Sequence, residues 1–174
     1  MKNNLRLILV IFICFILLVG CNNQNTKEDN KKDNKEQNTI KKELTRSEII
    51  DTLNDIDSAM VSLWNEVFCE VSWYTGYGTS STGEVLDIDF VVFNAKQYYD
   101  DFVQYQEFIN NLSDEYDNIK NAYDKAVEKA DIIYNAIMME TPKANTEVTY
   151  KDDITLFNQY MDYFGDAVYD LDYE

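Results

Sequence analysis

The stretch of sequence that decides the fold is residues 45–74, TRSEIIDTLNDIDSAMVSLWNEVFCEVSWY. It opens with a capping box, in which the Thr45 hydroxyl serves an orphan N–H of a helix and Glu48 reaches back to Thr45. Apolar residues then recur at spacings of three and four, which places them on one side of a helix: Ile49, Leu53, Ile56, Met60, Leu63, Val67, Val71 and Tyr74. The pattern predicts one amphipathic helix of about 30 residues.

The same period continues along a second run that is too long for one helix. Apolar residues keep helical phase from Ile88 to Ile137, yet a helix of about 50 residues would measure about 75 Å and could not bury its apolar face in so small a domain. Residues 110–115, NNLSDE, offer a helix stop and a new N-cap. The sequence therefore predicts a hairpin near Ser113, with a continuous helix as the open alternative.

A fourth run follows Pro142, which ends the third predicted helix. Thr149 with Asp152 can cap this fourth helix, and Gly165 weakens it by up to about 1 kcal/mol relative to Ala. Its apolar stripe comprises Ile154, Phe157, Met161, Phe164, Val168 and Leu171. Four amphipathic helices with short connections predict an all-α fold, a four-helix up-down bundle that occupies residues 43–174.

The N-terminal segment carries a targeting signal. Lys2 and Arg6 precede 13 apolar residues at positions 7–19. A short positive segment, an apolar stretch of this length and a small residue before the cut predict a signal peptide over residues 1–20. The apolar run is shorter than the roughly 20 residues that a stable membrane span needs.

Residues 18–21, LVGC, resemble the lipobox of bacterial lipoprotein signals. In that family the cysteine receives a diacylglycerol on sulfur, and cleavage before it leaves a lipidated N-terminus. The resemblance implies that Cys21 is the lipid-attachment residue and that fatty-acyl chains such as palmitate anchor the protein on the extracytoplasmic face of the cell membrane. A plain signal peptide with an accidental cysteine stays open.

Residues 21–42 form the next predicted region, the lipidated Cys21 followed by a polar linker. Its only large apolar residue is Ile40. Such a segment cannot bury enough surface to offset its ordering entropy, so the composition predicts disorder. High Asn, Lys and Ile usage favours a Gram-positive bacterium with an AT-rich genome.

A second resemblance covers most of residues 43–174. Trp64 in the first predicted helix, Asn94 early in the second, and LSDEY at 112–116 followed by Tyr123 are similar to small helical lipoproteins of Gram-positive bacteria, a largely uncharacterised family. Ser113 and Asp114 stand where that family often has a proline. The resemblance implies a helical fold and a surface location, and it implies no activity.

The charge balance excludes several functions. Residues 43–174 hold 28 acidic and 7 basic side chains, and the whole chain has no His. This acidity repels phosphate backbones, so we expect no nucleic-acid partner. The lack of His excludes Ser-His and Cys-His catalysis and His-bound zinc, so we expect no enzyme, no catalytic residue and no cofactor. Asp87 and Asp89 lack the EF-hand continuation, which leaves no predicted metal site and only weak cation binding open.

Three aromatic residues are the candidates for a partner contact: Trp73, Tyr74 and Tyr77, beside the glycine-containing loop at 76–83. Aromatic side chains at a loop provide contact area at low entropic cost, although packing over the end of the bundle is the open alternative. Cys69 is the only thiol expected to stay unlipidated in the mature chain. Its acidic neighbours Glu66 and Glu70 predict an unreactive thiol.

Together these features predict a membrane-anchored cell-surface lipoprotein that acts as a non-enzymatic binding module for a protein partner. A basic surface on that partner would fit, because opposite charges steer encounter. The alternative is a cation- or small-ligand-binding lipoprotein associated with a transporter. That alternative requires an internal cavity, whereas a protein partner requires an exposed aromatic or acidic patch.

Overall fold

The structure of the protein, a computed structural model, describes residues 44–173. The predicted signal peptide, Cys21 and the polar linker lie outside these residues. The described part is all-α and contains no strand, which confirms the predicted fold class. Its elements in chain order are α1 (Arg46–Leu63), a π-helical turn (Trp64–Phe68), α2 (Cys69–Tyr77), α3 (Ile88–Val103), α4 (Gln106–Asn110), a 3-10 turn (Asp114–Tyr116), α5 (Asp117–Met139) and α6 (Lys151–Tyr173). Among them, no helix has the length and apolar character to cross a membrane.

These elements build four bundle helices. The first consists of α1, the π turn and α2, the second of α3 and α4, the third of the 3-10 turn and α5, and the fourth of α6. Each packs against the next, and the fourth packs against the first. Arg46, at the start of the first bundle helix, donates from Nη2 to Leu171 O, near the end of the fourth bundle helix, at 2.9 Å. This antiparallel order confirms the four-helix bundle with its up-down course.

The predicted apolar stripes form one core. Its largest fully buried members are aromatic, and they meet edge to face, with ring centroids 4.9 Å apart for Phe68 and Phe157 and 5.1 Å apart for Phe102 and Tyr123. The buried aliphatic residues around them include Leu53, Ile56, Met60, Leu63, Ile109, Ile133 and Ile137. Such burial is the main source of stability in a bundle of this kind.

The predicted capping box at Thr45 and the predicted break near Ser113 are confirmed, but the Ser113 side chain makes no capping hydrogen bond and donates to Glu115 Oε1 instead. Glu48 N–H donates to Thr45 Oγ1 at 3.2 Å and Thr45 N–H donates to Glu48 Oε2 at 2.9 Å, which completes the capping box. Ser113 is extended, with φ −67° and ψ 166°, so the chain turns there and the hairpin replaces the alternative of a continuous helix.

The fourth bundle helix begins later than the predicted cap would place it. Ile154 N–H donates to Tyr150 O at 3.1 Å, so Tyr150 and not Thr149 is the residue before the helix. Tyr150 is buried. Its packing against the core outweighs the capping preference of the threonine hydroxyl.

Two interruptions were not predicted from the apolar period. One is the break between α3 and α4 at residues 104 and 105, where carbonyl groups of the preceding turn lose their partners in the helix ladder. The Tyr123 hydroxyl donates to one of these, Phe102 O, at 3.0 Å within the core. A side chain of the third bundle helix thus provides the hydrogen-bond donor for a backbone carbonyl at the break in the second.

The other interruption is the π turn in the first bundle helix. A π turn holds one residue more than an α turn, and here Val67 and Phe68 are both fully buried. After it, the buried stripe runs through Val71 to Thr75, and Tyr74 is only half-buried. The Thr75 hydroxyl donates to Val71 O at 2.8 Å, so burial leaves it satisfied.

Candidate functional site

Two of the three predicted contact residues lie together on the surface. Trp73 and Tyr77 are 41% and 68% exposed, and their ring centroids are 5.0 Å apart. They are four positions apart on α2, so they share one face of the helix. Tyr74 lies about 100° around the helix from Trp73 and packs against the core instead. The structure therefore brings Trp73 and Tyr77 together as an aromatic pair and separates Tyr74 from them.

The loop after the aromatic pair is fixed to the first bundle helix. Gly78 ends α2 in the left-handed conformation, with φ 77°, and its N–H donates to Tyr74 O at 2.8 Å. The Glu70 carboxylate accepts from Ser81 N–H at 3.1 Å and from Ser81 Oγ at 2.5 Å. These bonds hold the loop against the helix that carries the pair.

The connection between the third and fourth bundle helices braces the same end of α2. Asn145 N–H donates to Tyr74 O at 3.3 Å, and Thr146 N–H donates to Thr75 O at 2.8 Å. The second bond satisfies a carbonyl group of the last helical turn, and the first gives Tyr74 O a second donor besides Gly78 N–H. The aromatic pair consequently stands on a helix end that is held from two sides.

A groove with a volume of about 520 Å³ lies between the first and second bundle helices. We call it the acidic groove, because two carboxylates and no basic side chain are among its lining residues: Asn65, Glu66, Glu70, Ser80, Leu86, Phe90, Val91, Asn94, Gln97 and Tyr98. The π turn contributes Asn65 and Glu66 to it. Turns of this kind inside α-helices often occur at functional sites.

Large apolar residues are exposed in and near the acidic groove. Phe90 is 64% exposed within the groove, and Phe93 and Val85 are more exposed still. Sequence reasoning did not identify these three residues as contact candidates. The sequence does contain a sign that Phe90 and Phe93 are exposed. Both fall outside the apolar stripe of α3 that contains Ile88, Ala95 and Phe102.

The Cys69 thiol is half-buried, and its surroundings are those of an unreactive cysteine. Burial first, and then the neighbouring Glu70 carboxylate, raise the pKa of this thiol, while a hydrogen bond with the Trp73 side chain acts in the opposite direction. A raised pKa keeps the sulfur protonated at neutral pH, which lowers its nucleophilicity. The direction agrees with the expectation from the acidic neighbours.

The other acidic side chains do not assemble into a metal centre within the described residues, where no group of three or more Cys, Asp or Glu could hold an ion. Asp57 is half-buried beside Gly165, and burial raises the pKa of its carboxyl group. Two other hollows, of about 340 and 450 Å³, flank the connection at 140–150.

Comparison with known proteins gives no match to the chain among family models, curated proteins or solved structures. What the protein binds therefore has to be inferred from its own residues.

Proposed function

We propose that this protein is a membrane-anchored cell-surface lipoprotein whose helical bundle is a non-enzymatic binding module for a protein partner. The anchor is inferred from the lipobox resemblance at Cys21, and the extracytoplasmic location follows from it. The binding role is inferred from the aromatic pair, Trp73 and Tyr77. The acidity of residues 43–174 disfavours a nucleic-acid partner.

The single observation that supports binding is the exposure of the aromatic pair on an ordered helix end. Exposed apolar surface costs solubility unless something covers it, and contiguous exposed apolar patches mark interaction sites. Tryptophan and tyrosine are also enriched among the residues that dominate interface energies, where truncation of one side chain to alanine lowers the binding free energy by about 2 kcal/mol or more. Because the helix end is held by the loop bonds of Glu70 and Asn145, little order has to be gained on binding.

A protein partner is preferred over the alternative of a cation- or small-ligand-binding lipoprotein associated with a transporter. The carboxylates in the described residues are spread along the helices instead of converging, and a Ca²⁺ site needs six to eight converging oxygens. Calcium titration followed by thermal melting tests this preference. A rise in melting temperature at micromolar Ca²⁺ would favour the cation alternative.

The anchor is tested by fractionation of cells that express Cys21→Ser, with Cys14→Ser as the matched control in the same signal segment. We expect the wild-type chain and Cys14→Ser to fractionate with membranes and Cys21→Ser to lose that association. Quantitative membrane fractionation of Cys21→Ser would refute the anchor.

The binding role is tested by photocrosslinking in intact cells with p-benzoylphenylalanine in place of Tyr77. The control places the same crosslinker at Tyr163, an α6 residue that is similarly exposed, at 60%. We expect a discrete protein adduct from position 77 and none from position 163. No adduct from 77, or the same adducts from both positions, would refute a partner contact at the aromatic pair.

A further inference from the structure

We propose that the acidic groove receives a segment of the partner protein in which Lys or Arg side chains flank a large apolar side chain. This inference rests on the proposed binding function and deepens it, because it names the surface and the chemistry of the partner. The groove was not among the contact candidates from the sequence.

The acidic groove and the aromatic pair lie along one face of the first bundle helix. Glu70, Trp73 and Tyr77 follow one another on α2 at spacings of three and four residues, which places them on one stripe of that helix. Glu66 and Glu70 line the groove, and the aromatic pair continues the stripe beyond it. A single partner segment can therefore cover both.

Phe90 provides the apolar contact of the groove. Its ring is largely exposed, whereas Leu86 and Val91 beside it are half-buried and buried, so the ring is the part of the groove wall that remains to be covered. An apolar partner side chain against Phe90 would remove this surface from water. Phe93, one turn further along α3, extends the exposed apolar surface beyond the groove.

The charge of the walls selects a cationic segment. Residues 46–103, which contain both walls, hold eleven acidic and two basic side chains. Both bases are engaged, since Arg46 donates to Leu171 O and Lys96 Nζ lies 2.5 Å from Asp100 Oδ2. Opposite charge on a partner accelerates encounter and fixes its register, whereas an acidic segment would be repelled.

The polar lining and the size of the groove suit a peptide segment. Asn65, Asn94 and Gln97 carry amide groups that both donate and accept hydrogen bonds, as the backbone of an incoming segment requires. A volume of about 520 Å³ accommodates a few side chains. Glu70 is already bonded to Ser81, so Glu66, which is exposed, is assigned the ionic contact with the partner.

The test uses the full chain in intact cells with p-benzoylphenylalanine in place of Phe90, and mass spectrometry identifies the crosslinked partner peptide. We expect a peptide rich in Lys or Arg, from the same partner that position 77 captures. Glu66→Lys should lower the yield of the position-77 adduct by about tenfold, since it replaces an attractive charge by a repulsive one. Asp166→Lys, the same charge change at an exposed position on α6, should lower it less than about twofold.

Folding is checked for each variant by its circular dichroism melt, which should match that of the wild-type chain because Glu66, Phe90 and Asp166 are all exposed. Four outcomes would overturn the groove proposal alone. Three concern the adducts: an adduct at position 77 without one at position 90, an acidic or uncharged peptide at position 90, or a lipid adduct at position 90. The fourth is an equal effect of Glu66→Lys and Asp166→Lys on the yield of the position-77 adduct. The absence of protein adducts at both positions would overturn the proposed binding function with it.

Discussion

Tyr123→Phe removes a single buried oxygen from the core of the bundle. That oxygen donates to Phe102 O at 3.0 Å, beside the break between α3 and α4. The ring that remains keeps its contacts with the rings of Phe102 and Phe164, whose centroids lie 5.1 and 6.3 Å away. The substitution therefore reports on the hydrogen bond and hardly on packing.

The expected loss follows from the burial of both groups. Tyr123 and Phe102 are both fully buried, so water does not replace the missing donor. A buried acceptor left without a partner costs about 1–3 kcal/mol. For a domain of this size 1 kcal/mol corresponds to roughly 4 °C in melting temperature, so the variant should melt lower by between about 4 and 12 °C.

Urea unfolding of the mature chain, followed by circular dichroism, measures this loss as a lower midpoint with an unchanged slope. Tyr163→Phe is the control, because its exposed hydroxyl should contribute less than about 0.5 kcal/mol. A Tyr123→Phe variant that unfolds within about 0.5 kcal/mol of the wild-type chain would show that the Tyr123 hydroxyl does not stabilise the helix break.

Three further predictions concern the packing and ionisation of single residues. Gly165→Ala should raise the free energy of unfolding by clearly less than the roughly 1 kcal/mol of helix propensity, because the new Cβ would lie 3.1 Å from Asp57 Oδ1. In an Asp57→Ala background the full gain should appear, and a double-mutant cycle in urea measures the difference. Burial raises the pKa of Asp57 in the folded state, so the folded chain holds this proton more tightly than the unfolded one. Asp57→Asn should therefore stabilise the domain at pH 7, and thermal melts should show this advantage shrinking as the pH falls through the folded-state pKa. Burial also raises the pKa of Tyr150 to about 12. Its contribution to stability should therefore persist below about pH 10 and decline between pH 10 and pH 12, because the unfolded chain ionises first. Thermal melts of Tyr150→Phe should show a smaller decline in stability over that range.

The helices and their buried faces were predictable because burial in a bundle depends on the angle of a residue around its helix. Apolar spacing of three and four residues therefore identified Leu53, Phe102 and Phe157 as core residues, and all three are fully buried. The capping box at Thr45 was predictable for the same local reason, since both partners lie within one turn. The lipid anchor at Cys21 stays a prediction.

The interruptions were not predictable from period alone, because contacts between distant parts of the chain stabilise them. At the break after α3 the Tyr123 hydroxyl donates to Phe102 O, and at the π turn Val67 and Phe68 are buried together. Neither contact leaves a mark on the local pattern of apolar residues. The shifted start of the fourth bundle helix has the same origin, in the burial of Tyr150.

The candidate site was predictable in part. The proximity of Trp73 and Tyr77 to a glycine-containing loop indicated exposure, and the structure shows both side chains exposed. Tyr74, the third candidate, lies about 100° around the helix from Trp73 and packs against the core, as the alternative of packing over the end of the bundle had it. The acidic groove could not be predicted, since it exists only where Glu66 on one helix and Phe90 on another come together.

The π turn makes the surface of α2 depend on chain length. Loss of one codon within 64–68 would restore an ordinary helix there and rotate every later residue of that helix by about 100°. Tyr74 would then occupy the outward place of Trp73, and Val71 that of Glu70, which would lose its hold on Ser81. A single in-frame deletion at this turn would thus change the exposed surface of α2 and the core together, since Ser72 would take the buried place of Val71.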